Sequence, residues 1–535
     1  MLDSSGEQLS ASYPLTPAFS SIGGEGARGA GEGAAFSPHP RDLMTTDHTC
    51  LFRITAADRE KLEKLLFKRY PRREWGTFFH FGYRITPWGL HVTFVDTLEP
   101  RPGDLKRDSG IVEFEAGYIL RAQLALAQSP LGIGVIHSHP QGCSTGASWL
   151  DDDMDRYFAG EFSTYGNGRP YLSLRVARDE DGRFTFSGEA WLNGERILVA
   201  EWLTVGAALG RERAESGRGG MIGLTSDATG ECTNERMVEL LGAKKVTRLQ
   251  GATIGVIGCS GTGSPAIHVL ARAGVAKFVL VDPQFFSPSN HERFHASNWQ
   301  DLDKQQLKVE LVRRMILDIN PAAEVVVIRG NVLDEAVLDE LLRCDLVLGC
   351  TDSQHSRAAL SDFASHYLLP CIDSAVLMRA KDGKLTEQLA EVARYSPDEP
   401  CAWCLGRINQ KVLSYELMSD VEREERQHAA AEAVLRGVDG GQYWGGEPPK
   451  ELTVGYITTM VGAMQAGYAE GWITGASQMP HQRFQFDLGM PFLGAVPVDK
   501  PRRPECCCNR TKGWSEQARA DRSVSRPQFI DLAAP

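Results

Sequence analysis

The sequence has no run of about 18 uninterrupted apolar residues, so no membrane-spanning helix is expected. Its first residues lack the basic-then-apolar layout of a secretory leader, and a cytoplasmic location is expected. Basic charge is in deficit: 57 Lys and Arg against 69 Asp and Glu give a formal charge of −12. A chain of that sign is a poor default partner for nucleic acid or an anionic membrane, and neither is expected. Cysteine is too sparse for a disulfide scaffold, with 12 in 535 residues. Five of those 12 nevertheless fall in two clusters, Cys401/Cys404 and Cys506 to Cys508, which read first as a metal site. With 42% hydrophobic and 24% charged residues, the chain is neither wholly disordered, nor a coiled coil, nor a collagen-like fibre. Its length predicts about three to four domains.

Residues 1–45 are rich in Gly, Ser, Ala and Pro and predict a flexible tail. A first α/β domain is expected over 46–205. It has a helix capped by Thr55, a strand pair around the turn Pro87-Trp88-Gly89, and a helix at 118–127. A short apolar strand at 131–136, a helix around 152–158 and strands at 171–176 and 184–191 complete it. The Gly-rich stretch 206–232 reads as a linker. From Thr253 the pattern becomes strand, Gly-rich turn, helix, strand, the start of a mainly parallel sheet covered by helices. This second α/β domain is expected over 233–515, with further strands at 324–328 and 345–349, an exposed charged insertion at 413–449, and a tail at 516–535.

His137-Ser138-His139-Pro140 ends the apolar strand. Alternate residues of a strand share a face, so the two imidazoles point the same way. Beyond a Gly-containing loop comes Ser148-Trp149-Leu150-Asp151. Two His and one carboxylate leave one position open on a tetrahedral zinc, and a separate base is needed to move a proton. Glu74 is the upstream choice, with Glu113 and Glu115 as fallbacks, and Asp152 and Asp153 compete with Asp151. The pattern resembles the JAMM (JAB/MPN) metalloprotease family. That resemblance implies His137, His139 and Asp151 as ligands of a catalytic zinc, Glu74 as general base and Ser148 as oxyanion support. It also implies cleavage at the C-terminus of ubiquitin-like proteins. The spacer between His139 and Ser148 is eight residues, one longer than the family's usual.

Gly258-Cys-Ser-Gly261-Thr-Gly263 follows a strand and opens a helix, where backbone amides approach phosphates. Taken alone, with Asp282 at the end of the next strand, this fits NAD as well as ATP. Asn290, Arg293, Lys308 and Asp352 follow, a set of cations, an amide and an acid that suits attack on an α-phosphate. The arrangement resembles the ThiF family of adenylating domains, from about 242 to 508. The resemblance implies ATP held by the 258–263 loop and Asp282, phosphate contacts from Asn290, Arg293 and Lys308, and Mg²⁺ on Asp352. It implies a structural zinc on Cys401, Cys404, Cys506 and one neighbour, Cys508 being the choice. It also implies a homodimer through this domain and a partner protein, ubiquitin-like or sulfur-carrier, ending in glycine. The family's second acid beyond the ribose-binding Asp is Gln284 here. The late thioester cysteine of ubiquitin-activating enzymes is absent, leaving Cys371 or a spare in the 506–508 run. The expectation is a bifunctional enzyme that trims and adenylates a ubiquitin-like protein, with a ubiquitin-conjugating-type protein as further partner. Sulfur-carrier activation, or a non-catalytic scaffold, are the alternatives.

Overall fold

The computed structural model describes residues 48–106, 112–215, 234–442, 446, 452–489 and 495–520. The expected tail at 1–45, most of the expected linker and residues 521–535 lie outside them.

The first sheet contains β1 (Thr49–Thr55), β2 (Gly76–Thr86), β3 (Gly89–Leu98), β4 (Gly132–Ser138), β5 (Tyr171–Arg178), β6 (Phe184–Leu192), β7 (Glu195–Val205) and β8 (Leu209–Arg213). Their order is β1-β3-β2-β4-β5-β6-β7-β8, and β1 also pairs with β7, so the sheet closes on itself. The period of two sorts β2 onto two cores. Phe79 and Phe81 pack inward with Phe52, Phe94 and Trp202. Phe78 faces outward and packs with Tyr118, Phe158 and Phe162 of the helices Ala116–Ala127 and Trp149–Tyr165. Thr55 caps the helix Ala56–Leu66, its hydroxyl accepting from Asp58 N at 3.1 Å.

The second sheet contains β9 (Thr253–Ile257), β10 (Lys277–Val281), β11 (Glu324–Ile328), β12 (Leu346–Gly349), β13 (Cys371–Lys381), β14 (Lys384–Tyr395), β15 (Arg483–Asp487) and β16 (Ala495–Val498). The order is β11-β10-β9-β12-β13-β14-β15-β16. The sheet is parallel from β11 to β13 and antiparallel from β13 to β16, so the expected mainly parallel sheet is in fact mixed. The central parallel strands β9, β10 and β12 are mostly apolar and buried, as strands covered on both faces are. The antiparallel ones mix polar and apolar residues, which hid them in the sequence. From β9 the chain moves outward to β10 and β11, then returns to β12 on the other side. That reversal opens a crevice beyond the carboxyl ends of β9 and β12.

The two sheets share one compact unit. Arg53 of β1 is fully buried and donates to Cys344 O at 2.8 Å and Leu342 O at 3.3 Å. Arg84 of β2 pairs with Asp339 at 2.7 Å and with Glu335 and Glu516 at 2.6 Å. The expected linker contributes β8, and the expected tail from 516 begins with side chains that hold β2: Gln517 Oε1 accepts from Tyr83 N at 2.8 Å. The expected insertion contains the helix Asp420–Leu435, part of a separate compact unit and capped at Ser419 by a reciprocal pair of bonds with Glu422. Among the described residues no helix is long and apolar enough to cross a membrane.

Candidate active sites

β4 ends in His137 and Ser138, and its register beside β2 and β5 aims His137 between the sheet and the helix Trp149–Tyr165. His137 Nε2 lies 3.2 Å from His139 Nε2 and 3.3 Å from Asp151 Oδ1. His139 Nε2 lies 3.8 Å from Asp151 Oδ2. All three residues are buried. His139 Nδ1 is 2.8 Å from Ser144 O, an atom that only accepts, so Nδ1 carries the proton and Nε2 presents its lone pair inward. Burial and the neighbouring His137 both lower the pKa of His139, which favours that neutral form.

Ser148 caps the helix. Its N donates to Asp151 Oδ2 at 2.7 Å, and its hydroxyl accepts from Asp151 N at 3.2 Å. Burial alone would raise the Asp151 carboxyl, but the bonds to His137 and Ser148 hold it well below the usual carboxylate range. The structure separates Asp151 from its competitors: Asp152 pairs with Arg196 at 2.8 Å, and Asp153 is exposed. Glu74 joins His137, Ser148 and Asp151 around a pocket of about 30 Å³ and accepts from Val112 N at 3.2 Å. Glu113 instead pairs with Lys106. Two imidazoles and a carboxylate converging on one point are a donor set that fits zinc.

The longer His139–Ser148 loop is clamped by residues that sequence reading missed. Glu215 Oε2 accepts from Thr145 N and Oγ1 at 3.1 and 2.7 Å. Buried Arg175, the register partner of His137, donates to Thr145 O at 3.1 Å and to Asp155 at 3.1 Å. No local signal marks these positions, because each works through a partner distant in sequence.

The second site lies at the crevice beyond β9 and β12. Gly258 has φ +89°, and a Cβ there would sit 2.7 Å from Cys350 O. A Cβ at Gly263 would sit 2.0 Å from Gly258 O, so only glycine closes this turn. At Gly261 a Cβ would come within 3.2 Å of Arg293 Cδ, which lies over the loop. Arg293 ends the turn Pro288–Arg293 and donates from Nη1 to Thr453 O and Oγ1 at 2.9 and 2.6 Å. Asp282 Oδ2 accepts from Cys259 N and Oδ1 from Gln284 N, both at 2.9 Å, tying the glycine loop to the end of β10.

Lys308 opens the helix Lys308–Ile319, is 4% exposed, and donates to Gln284 Oε1 at 2.6 Å. Burial lowers its pKa, and it feels the charges of Asp282, Arg293 and Asp352. Asn290 is turned to its own loop, where its Oδ1 accepts from Ser287 N and Oγ. Asp352 is exposed just past β12 and precedes Ser353, the cap of the helix Gln354–His366. Gln465, fully buried and unmarked in the sequence, donates to Gly349 O and Ile372 O at 3.1 and 2.7 Å and so fixes the end of β12. The arrangement brings the glycine loop, two cations and a carboxylate to the crevice.

Cys401 Sγ lies 3.5 Å from Cys506 Sγ, and Cys404 Sγ lies 3.8 Å from Cys508 Sγ, all four buried. This closed tetrathiolate set fits a structural zinc. Cys507 is not one of the four and groups with Asp362 and His366. Cys371 is fully buried at the start of β13, where burial raises its thiol well above its usual range, so it is no nucleophile as folded.

A strand–glycine loop–helix unit with its charged groups at the reversal point in the parallel half of a mixed sheet defines a nucleotide-binding α/β protein. A family model described as the ThiF family matches residues 233–508, more than half of the chain, and the chain belongs to that family. The molybdopterin-synthase adenylyltransferase of Salmonella typhimurium is 31% identical over 160 residues, 30% of this chain and 61% of that protein. The adenylyltransferase and sulfurtransferase MOCS3 of Drosophila yakuba is 25% identical over 63% of this chain and 64% of that one. The sulfur carrier protein ThiS adenylyltransferase of Escherichia coli is 31% identical over 21% of this chain and 45% of that one. The chain thus spans less than two thirds of each of these relatives. Among solved structures, E. coli MccB with ATP aligns with a TM-score of 0.39 at 16% identity, over 53% of this chain and 75% of that one.

Proposed function

We propose that the chain uses ATP to adenylate the C-terminal glycine of a small sulfur-carrier or ubiquitin-like protein. The observation that carries this reading is the convergence of the 258–263 loop, Arg293, Lys308 and Asp352 at one crevice. A carboxylate oxygen of the partner attacks the α-phosphorus. The bond from that phosphorus to the oxygen bridging to the β-phosphate breaks, pyrophosphate leaves, and an acyl-adenylate forms. Arg293 and Lys308 offset the negative charge that builds up, and Asp352 holds Mg²⁺. The names of these relatives favour a sulfur carrier over a ubiquitin-like conjugation pathway. A homodimer through residues 233–515, and a ubiquitin-conjugating-type protein in the conjugation version, are the further partners of this reading. The test is partner-dependent ATP–pyrophosphate exchange. Exchange with a Gly-ending sulfur carrier supports the reading, and its absence with every Gly-ending partner tried sinks it.

A second activity is supported by the meeting of His137, His139 and Asp151 beside Glu74. In this reading the N-terminal half hydrolyses a peptide or isopeptide bond after the partner's terminal glycine. Zinc held by the three residues supplies Lewis acidity there. Glu74 takes a proton from the attacking water and delivers it to the leaving amine. The Ser148 hydroxyl, which accepts from Asp151 N, keeps its own proton to donate to the developing oxyanion. Cleavage of a partner extended beyond its glycine, lost on chelation and restored by zinc, tests this half separately.

A further inference from the structure

Cys507 lies between two members of the tetrathiolate set and beside Cys506, but is not one of its four thiols. It meets two residues of the helix Gln354–His366 instead: Asp362, half-buried, and His366, 2% exposed. Donor atoms of the three side chains lie within 4.8 Å of one another. Asp362 and His366 are four residues apart, so they share one face of their helix. The tautomer of His366 follows from its neighbour. Thr511 Oγ1 donates its single proton to Cys507 O at 2.9 Å. It must therefore accept at its 3.0 Å contact with His366 Nε2, which places the ring proton on Nε2. His366 Nδ1 is left carrying the lone pair. An imidazole whose far nitrogen is held by a hydrogen bond is the arrangement metal-ligating histidines show.

We propose that Asp362, His366 and Cys507 bind a second zinc-class divalent ion, distinct from the tetrathiolate ion beside it. One thiolate, one imidazole and one carboxylate are the mixed donors that select zinc over harder cations such as Mg²⁺ or Ca²⁺. Binding releases the Cys507 thiol proton to solvent. The ion clips the end of the helix Gln354–His366 to the segment that follows the cysteine run. The same helix starts beside Asp352, about 20 Å away along its axis, so the ion holds the far end of an element that frames the nucleotide crevice. Ser515 N also donates to His366 O at 2.9 Å, and Ser515 bridges to Tyr83 of β2, which places the ion at the junction of the two sheets. The inference does not depend on the adenylation reading.

The experiment uses the full chain carrying His137→Ala and His139→Ala, so that the N-terminal site contributes no ion. Zinc per chain is measured after gel filtration, with and without Cys507→Ser or His366→Asn. A fall of one ion per chain on either further substitution supports the site, and unchanged content overturns it. If neither variant folds, cobalt(II) titration of the His137→Ala/His139→Ala protein decides. A second cobalt species with weaker thiolate charge-transfer absorption than the tetrathiolate one supports the site. A titration that ends with the tetrathiolate species overturns it.

Discussion

Lys308 Nζ donates to Gln284 Oε1 at 2.6 Å, so the residue that replaces the family's second acid acts in this chain as the neutral anchor of a buried cation. Gln284 holds the ammonium without cancelling its charge, and that charge stays available to a polyphosphate. Lys308→Ala, like Asp352→Ala, is predicted to lower pyrophosphate exchange about 10²- to 10³-fold. Gln284→Ala is predicted to lower it less, since it removes the anchor and leaves the charge. Exchange kinetics on the three variants check the ranking, and cleavage at the zinc site should be unchanged in all of them.

Glu74→Gln keeps an amide oxygen for the Val112 N contact and loses only the base. Zinc content should be unchanged and peptide cleavage should fall at least about 100-fold, within the range of general-base catalysis. Cleavage at the wild-type rate would move the base elsewhere.

The four buried thiols assign Cys508, and not Cys507, to the tetrathiolate site. Cys508→Ser and Cys401→Ser should therefore behave alike. Each should lose one zinc and lower the thermal midpoint, because structural zinc binding contributes directly to folding. Metal analysis paired with calorimetry reads both effects.

His91 is fully buried, and neither of its ring nitrogens has a hydrogen-bond partner. Burial, reinforced by the positive charges of Arg53 and Arg84, lowers its pKa well below the free value. The unfolded chain takes up a proton at this residue below about pH 6.5, and the folded chain does not. Stability from this group is thus complete above that pH and falls as pH drops, by up to about 1.4 kcal/mol per unit. Urea midpoints between pH 8 and 5.5 should fall more steeply toward acid for wild type than for His91→Leu, which shows the flatter curve.

Arg84 meets Asp339, Glu335 and Glu516 and is 7% exposed. Arg84→Ala leaves the Asp339 carboxylate buried without its cation, which should cost about 3–5 kcal/mol. Thermal unfolding followed by calorimetry should show the midpoint lowered accordingly.

Local chemistry made much of this molecule legible in its sequence. Thr55 and Ser148 are caps that act within four residues of themselves, and the Gly258–Gly263 turn is dictated by the positive φ of Gly258 and the lack of room for a Cβ at Gly263. His137 and His139 share a face because a strand alternates. Distance in sequence hid the rest. Nothing near Arg175, Gln465 or Thr453 marks them, since each holds the end of a strand or a side chain tens to hundreds of residues away. Composition around residues 206–232 and beyond 516 argued for a linker and a tail, yet parts of both pack against the barrel, because Leu209 and Gln517 find partners only once the sheets are assembled. The run Cys506 to Cys508 shows the division most clearly. The sequence by itself determined that thiols cluster there; which two face Cys401 and Cys404, and that the third turns to His366, was decided by the turn into the short helix Cys507–Arg510, a matter of tertiary packing.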